Sequence, residues 1–307
     1  MMVSLNLLSL VIGVMLSIAF FTLLERKVIG YTQFRKGPNK TLVIGIIQPI
    51  ADAIKLISKE TNLNSKSNFV EFMLTPALNI ICSLAMWISI PVAATFGFMK
   101  MSMMFLVSCM SINTLIIMKM SWTSNSNYAF IGMMRGVAQM ISYEINFIMI
   151  MMIIISLAET MTLANINEPT YLTSLAWVTF PLITLWMITI LAETNRTPFD
   201  FAEGESELIS GFNVEYGGPS FMTLFLAEYS SILLMSAATT CLFVISDGSK
   251  MTFYVTMIST CTMFIWARTT LPRFRYDKLM KTNWTQILPI TTVMMFLTFP
   301  MKMYWTK

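Results

Sequence analysis

Three carboxylates stand where a chain rarely leaves them. Glu144 lies inside the apolar run 136–157, Glu193 directly follows the run 172–192, and Glu228 lies inside the run 221–245. A charge at the centre of a membrane helix costs about 2.5–3.5 kcal/mol on insertion scales, so such acids face protein or water and avoid lipid. Carboxylates at this depth, with almost no cation in the same runs, suit a proton relay; acids satisfied by hydrogen bonds from Tyr143, Tyr229 or loop amides are the alternative. A second constellation is Arg135, Gln139, Ser142 and Asn146, which fall within about 60 degrees of one another on an ideal helix. Glu144 lies about 180 degrees away, so both faces of that segment need protein or water beside them.

The third constellation is a loop, ETNRTPFDFAEGESELISGFNVEYGGPS, from Glu193 to Ser220. It carries Glu193, Asp200, Glu203, Glu205, Glu207 and Glu215 against one cation, Arg196. Carboxylates this close titrate as a coupled set and can share protons. Gly204, Gly211, Gly217 and Gly218 leave the backbone able to rearrange. A solvated acidic loop with no special role fits the composition equally well.

Other chemistries lack residues. The chain has no histidine, hence no His base, haem ligand or zinc ligand. Cys82, Cys109, Cys241 and Cys261 stand apart in apolar runs, without the spacing of a cluster site or a disulfide framework, and read as small buried residues. No GxGxxG or Walker loop is present, so nucleotide, flavin and metal sites have no handle in the sequence.

The elements that must position these residues follow from composition. Of 307 residues, 56% are apolar and 12% charged, where an ordinary soluble chain has about a quarter charged, so the chain belongs in a membrane. Roughly 20 apolar residues cross the hydrocarbon. Eight runs qualify, at about 1–24, 72–99, 101–118, 136–157, 172–192, 221–245, 251–267 and 284–301. The expected fold is therefore an all-α polytopic membrane protein of eight transmembrane helices in a single domain, 1–307. The first run lacks the basic start and cleavage site of a secretory signal and is expected to be retained. Between the first two spans, IGIIQPIADAIKLISKE places Ile47, Ile50, Ile54 and Ile57 three and four residues apart, which predicts an amphipathic helix along the membrane surface or against the bundle. With eight alternating spans, 16 of the 20 Lys and Arg residues fall in the odd-numbered connections. This bias places the loops 25–71 and 193–220 on the inner side and both termini on the outer side. The charge pattern is sidedness, and no nucleic-acid patch is evident.

The acidic loop also resembles the signature of a known family. ETNRTPFDFAEGESELISGFNVEY is similar to the corresponding loop of the NADH dehydrogenase subunit 1 family, the quinone-site membrane subunits of respiratory complex I (NADH-ubiquinone oxidoreductase). The likeness extends, in order, through LERKVIGYTQFRKGPNK at 24–40, GIIQPIADAIKLISKE at 45–60, SNSNYAFIGMMRGVAQMISYE at 124–144 and RTTLPRFRYDKLM at 268–280. It covers essentially the whole chain. Lys278, where the family usually has Gln, and the segment WTQILP, which lacks a Lys common after that Trp, depart from it.

The resemblance implies a helical subunit that forms, with peripheral-arm partners and beside small membrane subunits and lipid, the narrow chamber admitting ubiquinone. Electrons would arrive from NADH through FMN and iron–sulfur clusters in partners, this chain holding no cofactor or metal of its own. By position Arg26, Gln33, Arg35 and Asp52 correspond to chamber and entrance residues, with Phe225, Tyr229 and Arg275 nearby. Glu144, Glu193, Glu203 and Glu228, with Tyr143, correspond to the acidic path toward proton-pumping subunits. Arg196, Asp200, Glu205, Glu207 and Glu215 correspond to its adaptable loop. The membrane anchor of a related hydrogenase is a second reading, and a stand-alone proton-coupled transporter a third; the latter should show repeated halves, which are not evident. Thirty methionines, expected on lipid-facing helices in place of Leu or Ile, suggest with the resemblance a mitochondrial genome that reads AUA as Met, and hence the mitochondrial inner membrane.

Overall fold

The computed structural model describes residues 2–61, 65, 67–92, 99–164, 166, 176–202, 211–243 and 251–305. Among them there is no strand; ten α-helices carry the chain, α1 (Met2–Thr32), α2 (Gln48–Ile57), α3 (Phe69–Met86), α4 (Ser102–Ser124), α5 (Asn127–Ala158), α6 (Ala176–Glu193), α7 (Pro219–Phe243), α8 (Met251–Thr270), α9 (Tyr276–Thr282) and α10 (Leu288–Trp305). Five of them, α1, α3 with its following turn, α4, α5 and α7, are long and apolar enough to cross a membrane. The chain is thus an all-helical, multi-pass membrane protein.

Several boundaries differ from the sequence reading, each for a local reason. The first helix runs on to Thr32, past Glu25, because that acid is compensated inside the bundle and does not end the span. The second stops at Met86, with one tighter turn at Trp87–Ser89 and Ile90 extended, because Pro91 disfavours helix at the residue before it. The fourth begins at Asn127, two turns before the expected start, with Arg135 tolerated half-buried inside it. Only two residues separate α4 from α5: Asn125 is left-handed (φ 49°) and Ser126 extended, and the chain reverses there into an antiparallel pair. Around α2, positive φ at Leu42, Ile44 and Gly45 turns the chain before Gln48, and Pro49 sits in the first helical turn, where its missing N–H costs nothing.

Helices α5 and α7 form the interior. More than half of their apolar windows are buried, 56% and 61%, against 17% for α1, which lines the edge. α3 packs on α4 and α7, α5 on α4, α6 and α10, and α7 on α1, α2 and α8. Trp186 of α6 stacks on Phe147 of α5 with ring centroids 5.0 Å apart and meets Phe243 of α7 at 5.9 Å, one aromatic column joining three helices. Met86, Met103, Met120 and Met235 are completely buried, so the methionines fill core gaps as well as lipid-facing positions. The isoleucines of α2 do not meet the bundle: Ile47, Ile50, Ile54 and Ile57 all point outward.

The polar stripe of α5 holds the bundle together on its inner face. Gln139 donates to the carbonyls of Ala192 (2.9 Å) and Phe199 (2.8 Å), pinning the start of the acidic loop. Asn283, in a π-helical turn (Asn283–Ile287) between α9 and α10, donates to the Ser142 carbonyl and accepts from Asn146 at 2.5 Å, while Thr291 reaches the Asn146 oxygen at 3.3 Å. These bonds satisfy groups that lipid could not. Beside the stripe, Gly132 and Gly136 let the loop backbone close in: a Cβ on Gly132 would lie 3.1 Å from Gly211 Cα and 3.2 Å from the Ala202 carbonyl oxygen. The two described ends of the loop, Ala202 and Gly211, therefore dock on one glycine face of α5. The intervening Glu203, Glu205 and Glu207 lie outside the described residues, as do parts of the runs 72–99, 172–192 and 221–245.

Because the atoms facing Gly132 are backbone, they cannot swing aside as a side chain would. Gly132→Val should destabilise the assembled protein by about 1–3 kcal/mol, the usual cost of overpacking, and shorten its half-life of heat inactivation; unchanged heat inactivation would show that the loop does not dock there.

Candidate functional site

Four elements converge on Glu25, in the last third of α1. Its carboxylate is almost fully buried. Arg268 of α8 donates to Oε1, Arg196 of the acidic loop stands 3.7 Å from the same oxygen, and the Tyr229 hydroxyl of α7 donates to Oε2 at 2.6 Å. The Arg196 guanidinium also lies over the Tyr229 ring, 4.6 Å from its centroid. Phe21 (5.9 Å, edge-on) and Phe225 (6.2 Å) enclose the tyrosine. A buried acid with two guanidiniums and a phenol is a compensated charge in a dry setting, and removing one partner leaves the others uncompensated.

The neighbouring residue faces the other way. Arg26, about 100 degrees around α1 from Glu25, reaches Asp52 of α2 at 2.6 Å; Gln48 donates to the other oxygen of that aspartate at 2.8 Å and accepts from Thr41 at 3.1 Å. This polar chain fixes α2 to α1 beside its exposed isoleucine face. Gln33 and Arg35 bond to each other at the exposed end of α1. Arg275 is not brought to the Tyr229 cluster: it is exposed and pairs with Asp277 at 3.0 Å.

Arg196 belongs to a second group as well. It lines a cavity of about 30 Å³ together with Glu193, Glu228, Asn79, Asn113 and Asn195. Glu144, half-buried on the face of α5 opposite the polar stripe, is close enough to act electrostatically on Glu193. Tyr143 beside it is fully buried against Phe199 at 5.9 Å. The loop is held from two further sides. Arg273 donates to the buried Asp200 at 3.1 Å, and Phe274 N–H bonds the Pro198 carbonyl while its ring stacks on Phe199. At the far end, Tyr216 stacks on Phe72 with centroids 4.3 Å apart and donates to the Met120 carbonyl at 2.9 Å. Burial pushes the Tyr216 phenol up from its usual range, against the opposing hydrogen bonds of Thr123 and Thr75. Gly218, with φ +62°, passes so close to Glu60 that a Cβ would fall 2.9 Å from its carbonyl oxygen. Glu215 is partly exposed beside these contacts.

Of the residues singled out from the sequence, Tyr229, Arg196 and Phe225 meet at Glu25, while Glu193 and Glu228 share the cavity with Arg196. Arg26 and Asp52 form their own pair. The sequence reading missed Glu25, Arg268 and Arg273, because each stands among other charged or polar residues at the end of an apolar run and looks like its solvated boundary. Asn79 and Asn113 were missed too, although an amide inside an apolar run is itself a signal of a polar interior. All four cysteines are free, and Cys109, Cys241 and Cys261 are buried. Among the described residues no group of His, Cys, Asp and Glu is placed to hold a metal ion.

A family model described as NADH dehydrogenase matches residues 5–299. Among curated proteins, the NADH-ubiquinone oxidoreductase chain 1 of Anopheles quadrimaculatus is 44% identical over 96% of this chain and 94% of its own. Those of Emballonura alecto (45%, over 93% and 92%) and Locusta migratoria (44%, over 95% and 93%) are similarly alike.

The Glu25 cluster makes a ranked prediction. Glu25→Gln should cost about 1–3 kcal/mol, the penalty for stranding a buried polar group, read as faster heat inactivation. Arg268→Gln should cost less, since the Arg268 side chain is 38% exposed against 7% for Glu25, and Arg196 stays beside the acid. Equal losses from Arg268→Gln and Glu25→Gln would contradict the cluster as drawn.

Proposed function

We propose, from the premise that the chain belongs to the NADH dehydrogenase family, that it is the quinone-site membrane subunit of a proton-translocating NADH-ubiquinone oxidoreductase of the mitochondrial inner membrane. The observation that carries the mechanism is the double role of Arg196, which is held by Glu25 on one side and lines the cavity of Glu193 and Glu228 on the other. A change of charge near Glu25 is thereby felt at the membrane-depth carboxylates through one side chain.

In this reading the chain carries no redox centre. Partner subunits of the peripheral arm hold NADH, FMN and the iron–sulfur clusters and deliver electrons, and smaller membrane subunits receive the protons. Ubiquinone enters from the bilayer past α2, whose outward isoleucines rest on the membrane surface, and past Arg26 and Asp52. Eight spans then place α2 and the acidic loop on the matrix side and both termini on the intermembrane side. Reduction of the quinone to quinol takes up two electrons and two protons. The resulting deficit of positive charge draws on the loop acids, and the Glu25 ion pairs readjust around Arg196. The change passes through Glu193 and Glu228 to Glu144, each acid taking up and releasing a proton in turn.

Two measurements test this. The chain should purify in a complex that oxidises NADH, reduces ubiquinone and is inhibited by rotenone; recovery as a free homo-oligomer would refute the assignment. Within that complex, Glu144→Gln should lower protons pumped per electron, or slow coupled turnover, in reconstituted vesicles. An unchanged ratio and rate would remove Glu144 from the path.

A further inference from the structure

Between α3, α4 and α7 lies a polar cavity of about 30 Å³ that the carboxylates alone do not account for. Its walls include Asn79 of α3, which is 4% exposed, Asn113 of α4 and Asn195 of the loop, with Ser231 one turn along α7 from Glu228. Three of the lining residues contribute buried oxygens, Asn113 Oδ1, Asn195 Oδ1 and Glu193 Oε1, that find no hydrogen-bond partner among the described residues. The two amide oxygens are acceptors, and the Glu193 oxygen is one whenever the acid is ionised, so the natural occupant is a group able to donate. Arg196 already brings a positive charge to the same wall, which disfavours a second cation. Water supplies donors without adding charge, and a polar cavity of this size with several polar partners meets the requirements for holding it.

We propose that Asn79, Asn113 and Asn195 form a hydrated amide site joining Glu193 to Glu228 through ordered water, with Asn113 as its positioning residue. The inference rests on the reading of these two acids as charge carriers. An amide exchanges no proton in this pH range, so its part is orientation. The Asn113 oxygen accepts one O–H of the water and leaves the water's lone pairs toward the protonated Glu193 carboxyl. In a handover the Glu193 O–H breaks as the proton joins the water, and another water O–H breaks as its proton joins the Glu228 carboxylate. The water is regenerated, and one proton has moved between the acids with no net change in the site.

Asn113→Leu, which fills the space and removes the acceptor, tests the site in the assembled complex. NADH-to-ubiquinone turnover should fall roughly two- to tenfold, the scale of one hydrogen bond, while NADH oxidation by an artificial acceptor that bypasses the quinone site stays unchanged. Asn113→Ser, which keeps a small polar group, should recover at least half of the lost rate. A high-resolution map of the complex should show water within hydrogen-bond distance of Asn113 and Glu193. A wild-type rate in Asn113→Leu, equal loss of both activities in the Leu and Ser variants, or a neighbouring subunit's side chain filling the cavity would each overturn the proposal. A wild-type complex without quinone reduction would instead overturn the functional reading, and this inference with it.

Discussion

A charge inside an apolar bundle must be answered by the protein, because lipid cannot answer it. Glu25 is where that constraint bears hardest. It lies on α1, the least buried of the long helices, and contacts reaching α1 from α7, α8 and the acidic loop converge on its carboxylate. The pairing is more than cohesion between helices. A nonpolar contact would let α1 slide by small steps, whereas a buried ion pair with a phenol donor admits few geometries. Arg196 is fixed by the same cluster, and with it the first turn of the loop after α6.

From that anchor the loop is laid along α5, whose sequence is otherwise hard to justify. Glycine in a helix interior costs about 0.5–1 kcal/mol relative to alanine, and α5 has two on one face, at Gly132 and Gly136. Both stand where the loop backbone comes within contact distance. Gln139, one turn on, satisfies the Ala192 carbonyl at the end of α6 and the Phe199 carbonyl in the loop. Glycines and glutamine are one device: the first make room for polar backbone at membrane depth, and the second satisfies it. Ala202 and Gly211 thus both pack on the helix that carries Glu144 on another face.

Much of this was legible in the residues. Long uncharged runs gave the helices, and the narrow polar stripe of α5 correctly marked a face in contact with protein, since Gln139, Ser142 and Asn146 are all buried and bonded. Membrane-depth acids pointed to Glu193 and Glu228, which share one cavity. What failed was the placing of two span ends, at Leu24 and at Gly136. Glu25 and Arg135 both lie within helices, because tertiary partners can compensate a charge and local sequence cannot reveal them. The same blindness hid Arg268 and Arg273, whose roles depend on residues 243 and 73 positions away. Arg275, two residues beyond Arg273, shows the limit of reasoning by position: it keeps to the surface with Asp277.

The buried acids divide into two kinds. Glu25 is locked by cations and a phenol, so its charge is part of the architecture. Glu193 has no cation in bonded contact among the described residues; it faces a cavity, with Glu144 near enough to repel it. An acid of the first kind cannot give up its charge without dismantling the cluster that holds α1. One of the second kind can change protonation while its helix stays in place, because no ion pair among the described residues depends on it. Arg196 belongs to the first kind through its pairing with Glu25, and it also lines the cavity that Glu193 faces.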